Sequence, residues 1–151
     1  MIRLEKGLWM AQAKTAKRSQ PFDRTRHDHA SETAEDYVEA IASLIEEKGV
    51  CRGADLAKHF GVSHVTVTKT VLRLKREGLA EAAAYRPIHL TAKGRRMAKA
   101  AKRRHQIVFA FLQALGVSDA VATIDSEGIE HHVSGETLKA FQRYLESNEH
   151  K

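Results

Sequence analysis

The chain has 151 residues, a net charge of +6 and an isoelectric point near 9.6. That length suits one compact domain or two small ones sharing a core, and 42% hydrophobic residues are enough for a packed interior. No apolar run approaches membrane-spanning length, the charge-interrupted start Met1–Met10 lacks a signal-peptide core, and the lone Cys51 excludes an internal disulfide. A cytoplasmic protein with a buried, inert thiol and a polyanionic partner is the expectation.

Residues 1–30 carry seven basic and three acidic residues with little periodicity. Pro21 and the polar run Asp23–His29 read as a flexible N-terminal extension, either a solvated arm or one that touches a polyanion. From Ser31, a candidate N-cap, the pattern turns helical, with Glu32 and Glu35 in the first turns and an apolar stripe of Tyr37, Ile41, Leu44 and Ile45 ending at Gly49. Residues 53–77 hold the strongest local signal. A short helix with small Ala57 leads to a tight turn at Gly61, then to a second helix capped by Ser63. Leu56, Phe60, Val62, Val67, Val71 and Leu74 are the expected buried set. Two short runs around Arg86-Pro87 suggest a hairpin wing, although alanine-rich Leu79–Tyr85 is poor strand material. A long helix follows from Ala92 to Leu115. Its first half, Lys93–Arg104, has seven basic residues and no acid. A further helix runs from the Ser118 cap to about His132. The last, capped by Ser134, carries a stripe of Leu138, Phe141, Tyr144 and Leu145.

A helix-turn-helix reads DNA with the first turns of its second helix. Here the candidates are Ser63, His64, Val65, Thr66, Thr68 and Lys69, with Lys69, Arg73 and Arg86 as phosphate contacts. An interaction-only winged helix with solvated basic residues is the bland alternative.

Two sets of acids flank this motif. Asp36 and Glu39 stand three apart; Glu127, Glu130 and His131 stand at i, i+3 and i+4, so each set shares a helix face. Gly128 is expected to keep the second face open for close approach, and Ile129 and Val133 to bury it. Like charges held together and partly buried need neutralising. With His105 they make four carboxylates and two imidazoles, whose charge would balance two divalent ions. Oxygen and imidazole donors without sulfur favour Mn²⁺ over softer metals, with Fe²⁺ the nearest competitor. His132 points about 100° away and reads as a supporting residue. His27, His29, His59 and His150 read as solvated.

Glu35-Asp36-Tyr37-Val38-Glu39, the winged helix, Arg104-His105-Gln106 and Glu127-Gly128-Ile129-Glu130-His131-His132 together resemble the manganese transport regulators, a branch of the diphtheria toxin repressor family. The resemblance covers about residues 31–147. It implies a mainly α fold: a winged helix-turn-helix DNA-binding domain (31–91) and an all-α metal-binding and dimerisation domain (92–151); the N-terminal extension (1–30) departs from the family, and the resemblance leaves its role open. It implies a binuclear manganese site, two ions per subunit, on Asp36, Glu39, His105, Glu127, Glu130 and His131. It implies a homodimer on a palindromic double-stranded operator that controls manganese uptake, and no SH3-like C-terminal domain. In the iron-responsive branch a Met stands at position 36 and a Cys at 127; Asp36 and Glu127 depart from that pattern. An iron- or zinc-responsive regulator of the same fold is the nearer alternative. A di-metal carboxylate enzyme is the remoter one, because no second Glu-x-x-His partner is present.

Overall fold

The computed structural model describes residues 20–148, with side chains from Asp28 onward. The chain divides into residues 1–31 and 32–151, and the packing described here lies within the second unit. The described residues are mainly helical, and none of their helices is long and apolar enough to cross a membrane.

Helix α1 spans Gln20–Lys48. It begins at Gln20 rather than at Ser31, so Ser31 is an interior residue and the run Asp23–His29 is helical instead of linker. Pro21 lies in the first turn, where its missing N–H forfeits no helical bond and its fixed φ suits the helix. The first part of the expected arm lies outside the described residues. The other end is as expected: Gly49 has φ +76° and donates its N–H to the Ile45 carbonyl at 2.8 Å.

α2 (Gly53–Phe60) and α3 (His64–Arg76) form the helix-turn-helix. Gly61, at φ +63°, makes the left-handed turn, and Ser63 Oγ accepts from the Thr66 amide at 3.2 Å to cap α3. Leu56, Val67, Val71 and Leu74 bury against Tyr37, Val38, Ile41 and Leu44 of α1. Phe60 is half-buried and stacks on Tyr37 with ring centroids 4.4 Å apart. Val62 departs from the expected core set. It stands in the turn beyond Gly61, where the chain runs along the surface, and is 36% exposed.

The wing is present and short. β1 (Ala80–Glu81) pairs antiparallel with β2 (His89–Leu90), with Ala80 opposite Leu90 and Glu81 opposite His89. A single bridge from Cys51 to Ile88 ties it to the loop before α2. Cys51 is fully buried, and burial pushes its thiol up to about 11.

α4 (Ala92–Ala114) starts at a Thr91 cap, whose Oγ1 accepts from the Gly94 amide at 3.0 Å and donates to the Gly78 carbonyl at 2.7 Å. α5 (Asp119–Ile129) and α6 (Gly135–Asn148) pack against α4. Ser134 caps α6 as expected, whereas Ser118 makes no side-chain cap bond to α5. Phe111 stacks on Phe141 at 3.9 Å. α6 has no fully buried residue, so its apolar stripe is only partly covered within the chain.

The seam between α4 and the wing has no spare room. A Cβ on Gly94 would lie 2.0 Å from the Leu79 carbonyl oxygen, which is backbone and cannot swing aside. Gly94→Ala is therefore expected to cost at least about 3 kcal/mol, beyond ordinary overpacking, in a denaturant titration. A midpoint unchanged from the parent protein would show that the seam yields.

Candidate metal centre and nucleic-acid face

One cleft of about 600 Å³ collects acids and imidazoles from α1, α4, α5 and the turn after α5, with His59 of α2 also in its lining. α1 contributes Glu32, Asp36 and Glu39; α4 contributes His105; α5 and its exit contribute Glu127, His131 and His132. The stripe that packs α1 into the core leaves Asp36 and Glu39 on its flank, facing this cleft.

Glu130 lies beneath this cleft beside His105 and His131 and is only 3% exposed. Its burial follows from helix register: Ala122 and Ser126 are each fully buried, and Glu130 falls one turn further along the same ridge. Three expectations are corrected here. α5 ends at Ile129, so Glu130 and His131 sit in the exit turn, although Glu130 keeps helical torsions (φ −58°, ψ −34°). Ile129 is 37% exposed and does not bury the acids, and nothing lies within 4 Å of a Cβ built on Gly128, so that glycine marks no close approach among the described residues.

His105 Nδ1 is 2.8 Å from Glu130 Oε2 and 3.4 Å from Glu127 Oε1. His131 Nε2 is 3.2 Å from Asp36 Oδ1 and 3.7 Å from Glu130 Oε1. The donor atoms of His105, Glu127 and Glu130 lie within 4.8 Å of one another. Glu39 lines the same cleft. The six expected residues are thus gathered at one place.

This donor set fits a divalent cation. Glu130 Oε2 is buried and makes no hydrogen bond among the described residues, although His105 Nδ1 is so near. Two donor atoms edge to edge without a hydrogen bond are what a shared cation requires, since metal bonds of about 2.0–2.2 Å at right angles place their donors about 3 Å apart. Buried acceptors of this kind are costly unless satisfied.

The acids respond to this crowding. Burial, the largest influence, pushes Asp36 and Glu39 above the usual carboxylate range, partly offset by His131 and His105 respectively. Burial likewise pushes Glu130 up to about 7, against the pull of His105 and His131 and with the push of Glu127 and Glu39. For His131 burial acts downward, but the bond to Glu35 and the charges of Asp36 and Glu130 outweigh it, and its net shift is upward.

Sequence reasoning missed two residues. Glu35 Oε2 binds His131 Nδ1 at 3.0 Å and also accepts from Arg104 of α4, with which it forms an ion pair. Glu35 had seemed only a first-turn helix acid. Its place beside Asp36, and that of Arg104 beside His105, was the available signal. His132, expected as a supporting residue, has Nε2 2.8 Å from Glu32 Oε1. His59, read as solvated, is exposed but stands at the rim of the cleft.

The expected DNA-reading residues share the outer side of α3. His64, Thr66, Thr68 and Lys69 are exposed, and Val65 is 63% exposed. Some of the hydroxyls are already engaged: Ser63 Oγ and Thr66 Oγ1 are 3.0 Å apart, and Thr68 Oγ1 donates to the His64 carbonyl at 2.8 Å. Arg73 Nε lies 3.6 Å from Glu77 Oε1. Arg86 is exposed near the wing tip, beside fully exposed Tyr85 at φ 61°.

A winged helix-turn-helix joined to a helical cation cleft defines a metal-regulated DNA-binding protein. The chain belongs to the iron-dependent repressor family: residues 29–88 match its N-terminal DNA-binding domain and residues 91–151 its metal-binding and dimerisation domain. It is 46% identical over 127 residues to a transcriptional regulator MntR of Escherichia coli O6:H1, covering 84% of this chain and 82% of that one. It is 39% identical over 104 residues to the HTH-type transcriptional regulator MntR of Bacillus subtilis, covering 69% and 73%. Among solved structures it resembles a manganese-dependent transcriptional repressor in complex with manganese, with 30% identity and a TM-score of 0.67 over 74% of this chain. The chain spans about half of that longer protein, 52%. The family is one of DNA-binding repressors rather than enzymes, which sets aside the di-metal enzyme alternative.

The raised carboxyls make stability depend on pH. Asp36, Glu39, Glu130 and His131 hold protons more tightly folded than unfolded, so their contribution is full at low pH and is lost as pH rises. For Glu130 the window runs from 4.5 to about 7. The melting temperature of metal-free protein should fall across that window, and Glu130→Gln should flatten the fall. Parallel profiles for the two proteins in scanning calorimetry would contradict the assignment.

Proposed function

We propose that this chain is a manganese-responsive transcriptional repressor that binds its operator when Mn²⁺ is available. The observation that carries the reading is the all-oxygen-and-imidazole donor set around buried Glu130, with Asp36 and Glu127 at the two positions where the iron-responsive branch has sulfur. Hard and borderline donors suit Mn²⁺, and discrimination against tighter-binding metals must come from geometry and coordination number.

Asp36, Glu39, His105, Glu127, Glu130 and His131 would hold the metal. Bound Mn²⁺ supplies positive charge that replaces protons and cancels the repulsion among the carboxylates. Two ions per subunit are supported by Glu130, whose two oxygens face different imidazoles: Oε2 is 2.8 Å from His105 and Oε1 is 3.7 Å from His131. Glu35 takes the Nδ1 side of His131 and leaves Nε2 toward Asp36, which fixes the ring for ligation, while Arg104 balances the Glu35 charge.

Coupling to DNA goes through α1. The helix that supplies Asp36 and Glu39 also supplies Tyr37, Val38, Ile41 and Leu44, on which α2 and α3 rest. Drawing the α1 acids toward the α5 exit sets where the reading head sits. A homodimer would then present two α3 helices to half-sites of a palindromic operator about 34 Å apart or a multiple of it. The outer face of α5, with Val121 48% and Ile124 73% exposed, suits the second copy. Control of manganese uptake is the regulatory role most consistent with this sensor. A 100-fold gain in operator affinity asks only about 2.7 kcal/mol of coupling.

In a gel-shift titration with DNA upstream of the genes it controls, Glu130→Ala should fold normally and lose stimulation by Mn²⁺; undiminished stimulation would refute the site. Across buffered Mn²⁺, Fe²⁺, Co²⁺ and Zn²⁺, the parent protein should respond best to Mn²⁺, and Glu127→Cys should shift the response toward softer metals. Glu35→Gln should weaken Mn²⁺ binding about 10- to 100-fold in calorimetry without touching a ligand. An affinity equal to that of the parent would rule out the orienting role.

A further inference from the structure

The metal centre and the α3 face leave one strongly charged surface without a task. Between Lys93 and Arg104, α4 has seven cations and no carboxylate. Four of them are engaged within the fold. Lys93 Nζ donates to the Glu77 carbonyl at 2.9 Å, Arg95 to the Leu90 carbonyl at 2.7 Å, Lys102 lies 3.9 Å from Glu46, and Arg104 pairs with Glu35. The other three, Arg96, Lys99 and Arg103, are exposed and have no hydrogen bond or ion pair among the described residues.

These three form one row. At about 100° per residue they cluster on the side of α4 roughly opposite its buried residues Gly94, Ala98, Ala101 and Val108. Like charges three and four residues apart weaken a helix by a few tenths of a kcal/mol per pair, and no acid on the row offsets this. The row also starts where the reading head ends. Thr91 and Lys93 bond to the carbonyls of Gly78 and Glu77 just after α3, and Arg95 bonds to β2 of the wing. Arg76, in the last turn of α3, extends the positive surface toward that junction. From Arg96 to Arg103 the helix advances about 10 Å, the axial length of about three nucleotides of one DNA strand.

We propose that Arg96, Lys99 and Arg103 form a second phosphate-binding surface, which takes the DNA backbone flanking the segment held by α3 and the wing. Charge complementarity selects the occupant: the row is purely cationic, continuous with the DNA-binding domain and free of apolar residues that would suit a protein core. It rests on the reading that α3 carries the chain to DNA. Its contribution is to affinity and salt dependence, with no preference among sequences.

The test needs no knowledge of the operator. Full-length protein with saturating Mn²⁺ is titrated against a fluorescent 40-base-pair duplex of random sequence at several salt concentrations. Arg96→Gln/Arg103→Gln should reduce the slope of log K against log salt by about 2 per bound subunit, at about 0.9 per phosphate contact. Lys139→Gln/Arg143→Gln on exposed positions of α6 removes the same charge elsewhere and should leave the slope nearly unchanged. Equal slopes for the parent and the α4 variant overturn the proposal, and so do equal losses in both variants, which would show a bulk-charge effect. A changed oligomeric state with an unchanged slope assigns the row to a protein contact and also overturns it. Absence of duplex binding by the parent protein would instead remove the DNA reading on which the proposal stands. Both substituted pairs are exposed, so their melting temperatures should match the parent's.

Discussion

The chemistry of the cleft depends on holding several carboxylates together where water cannot fully solvate them. Glu130 is carried into the interior by the same ridge that buries Ala122 and Ser126, and four other acids, Glu32, Asp36, Glu39 and Glu127, line the adjoining cleft. Such an arrangement is unfavourable by itself, because burial penalises each charge and the charges repel. The metal-free chain relieves it by keeping protons, above all on Glu130. Protons are a weak remedy near neutral pH, and a dication is a stronger one. On the proposed function, exchanging one for the other would turn the cleft into a sensor.

The supporting contacts separate two kinds of acid. Glu35 is matched by Arg104 and by His131, so its charge is already satisfied. Asp36 and Glu39, on the same helix, have no arginine partner among the described residues and face the cleft. Adjacent residues of one helix thus differ in role because of what α4 places opposite them. The single cation Arg104, next to the ligand candidate His105, draws that boundary.

Much of this was legible in the sequence, for reasons that can be named. The turn at Gly61, the Ser63 cap and the stop at Gly49 are local stereochemistry, and the structure reproduces each. The acids at 36, 39, 127 and 130 were found by spacing, which survives even where α5 gives way to a turn, because Glu130 keeps helical torsions. What failed depended on tertiary context. Val62 and Ile129 are apolar yet exposed, and hydrophobicity alone cannot say which side of a turn or helix meets a neighbour. The start of α1 was obscured because Pro21 and a polar run look like linker, although proline is well tolerated in a first turn. The Glu35–Arg104 pair joins residues far apart in the chain, so their places beside Asp36 and His105 mark each residue but only the fold shows that they pair.

The tight seam at Gly94 has a mechanical consequence. α4 runs without interruption from that contact with Leu79 to His105, about 16 Å along its axis. With its foot wedged against the wing, the helix acts as a rigid lever that carries an imidazole just past its midpoint. A sideways shift of about 1 Å at His105 tilts the foot by only about 3 to 4°. Adjustments in the cleft therefore reach the wing as small rotations rather than as slack taken up along the way.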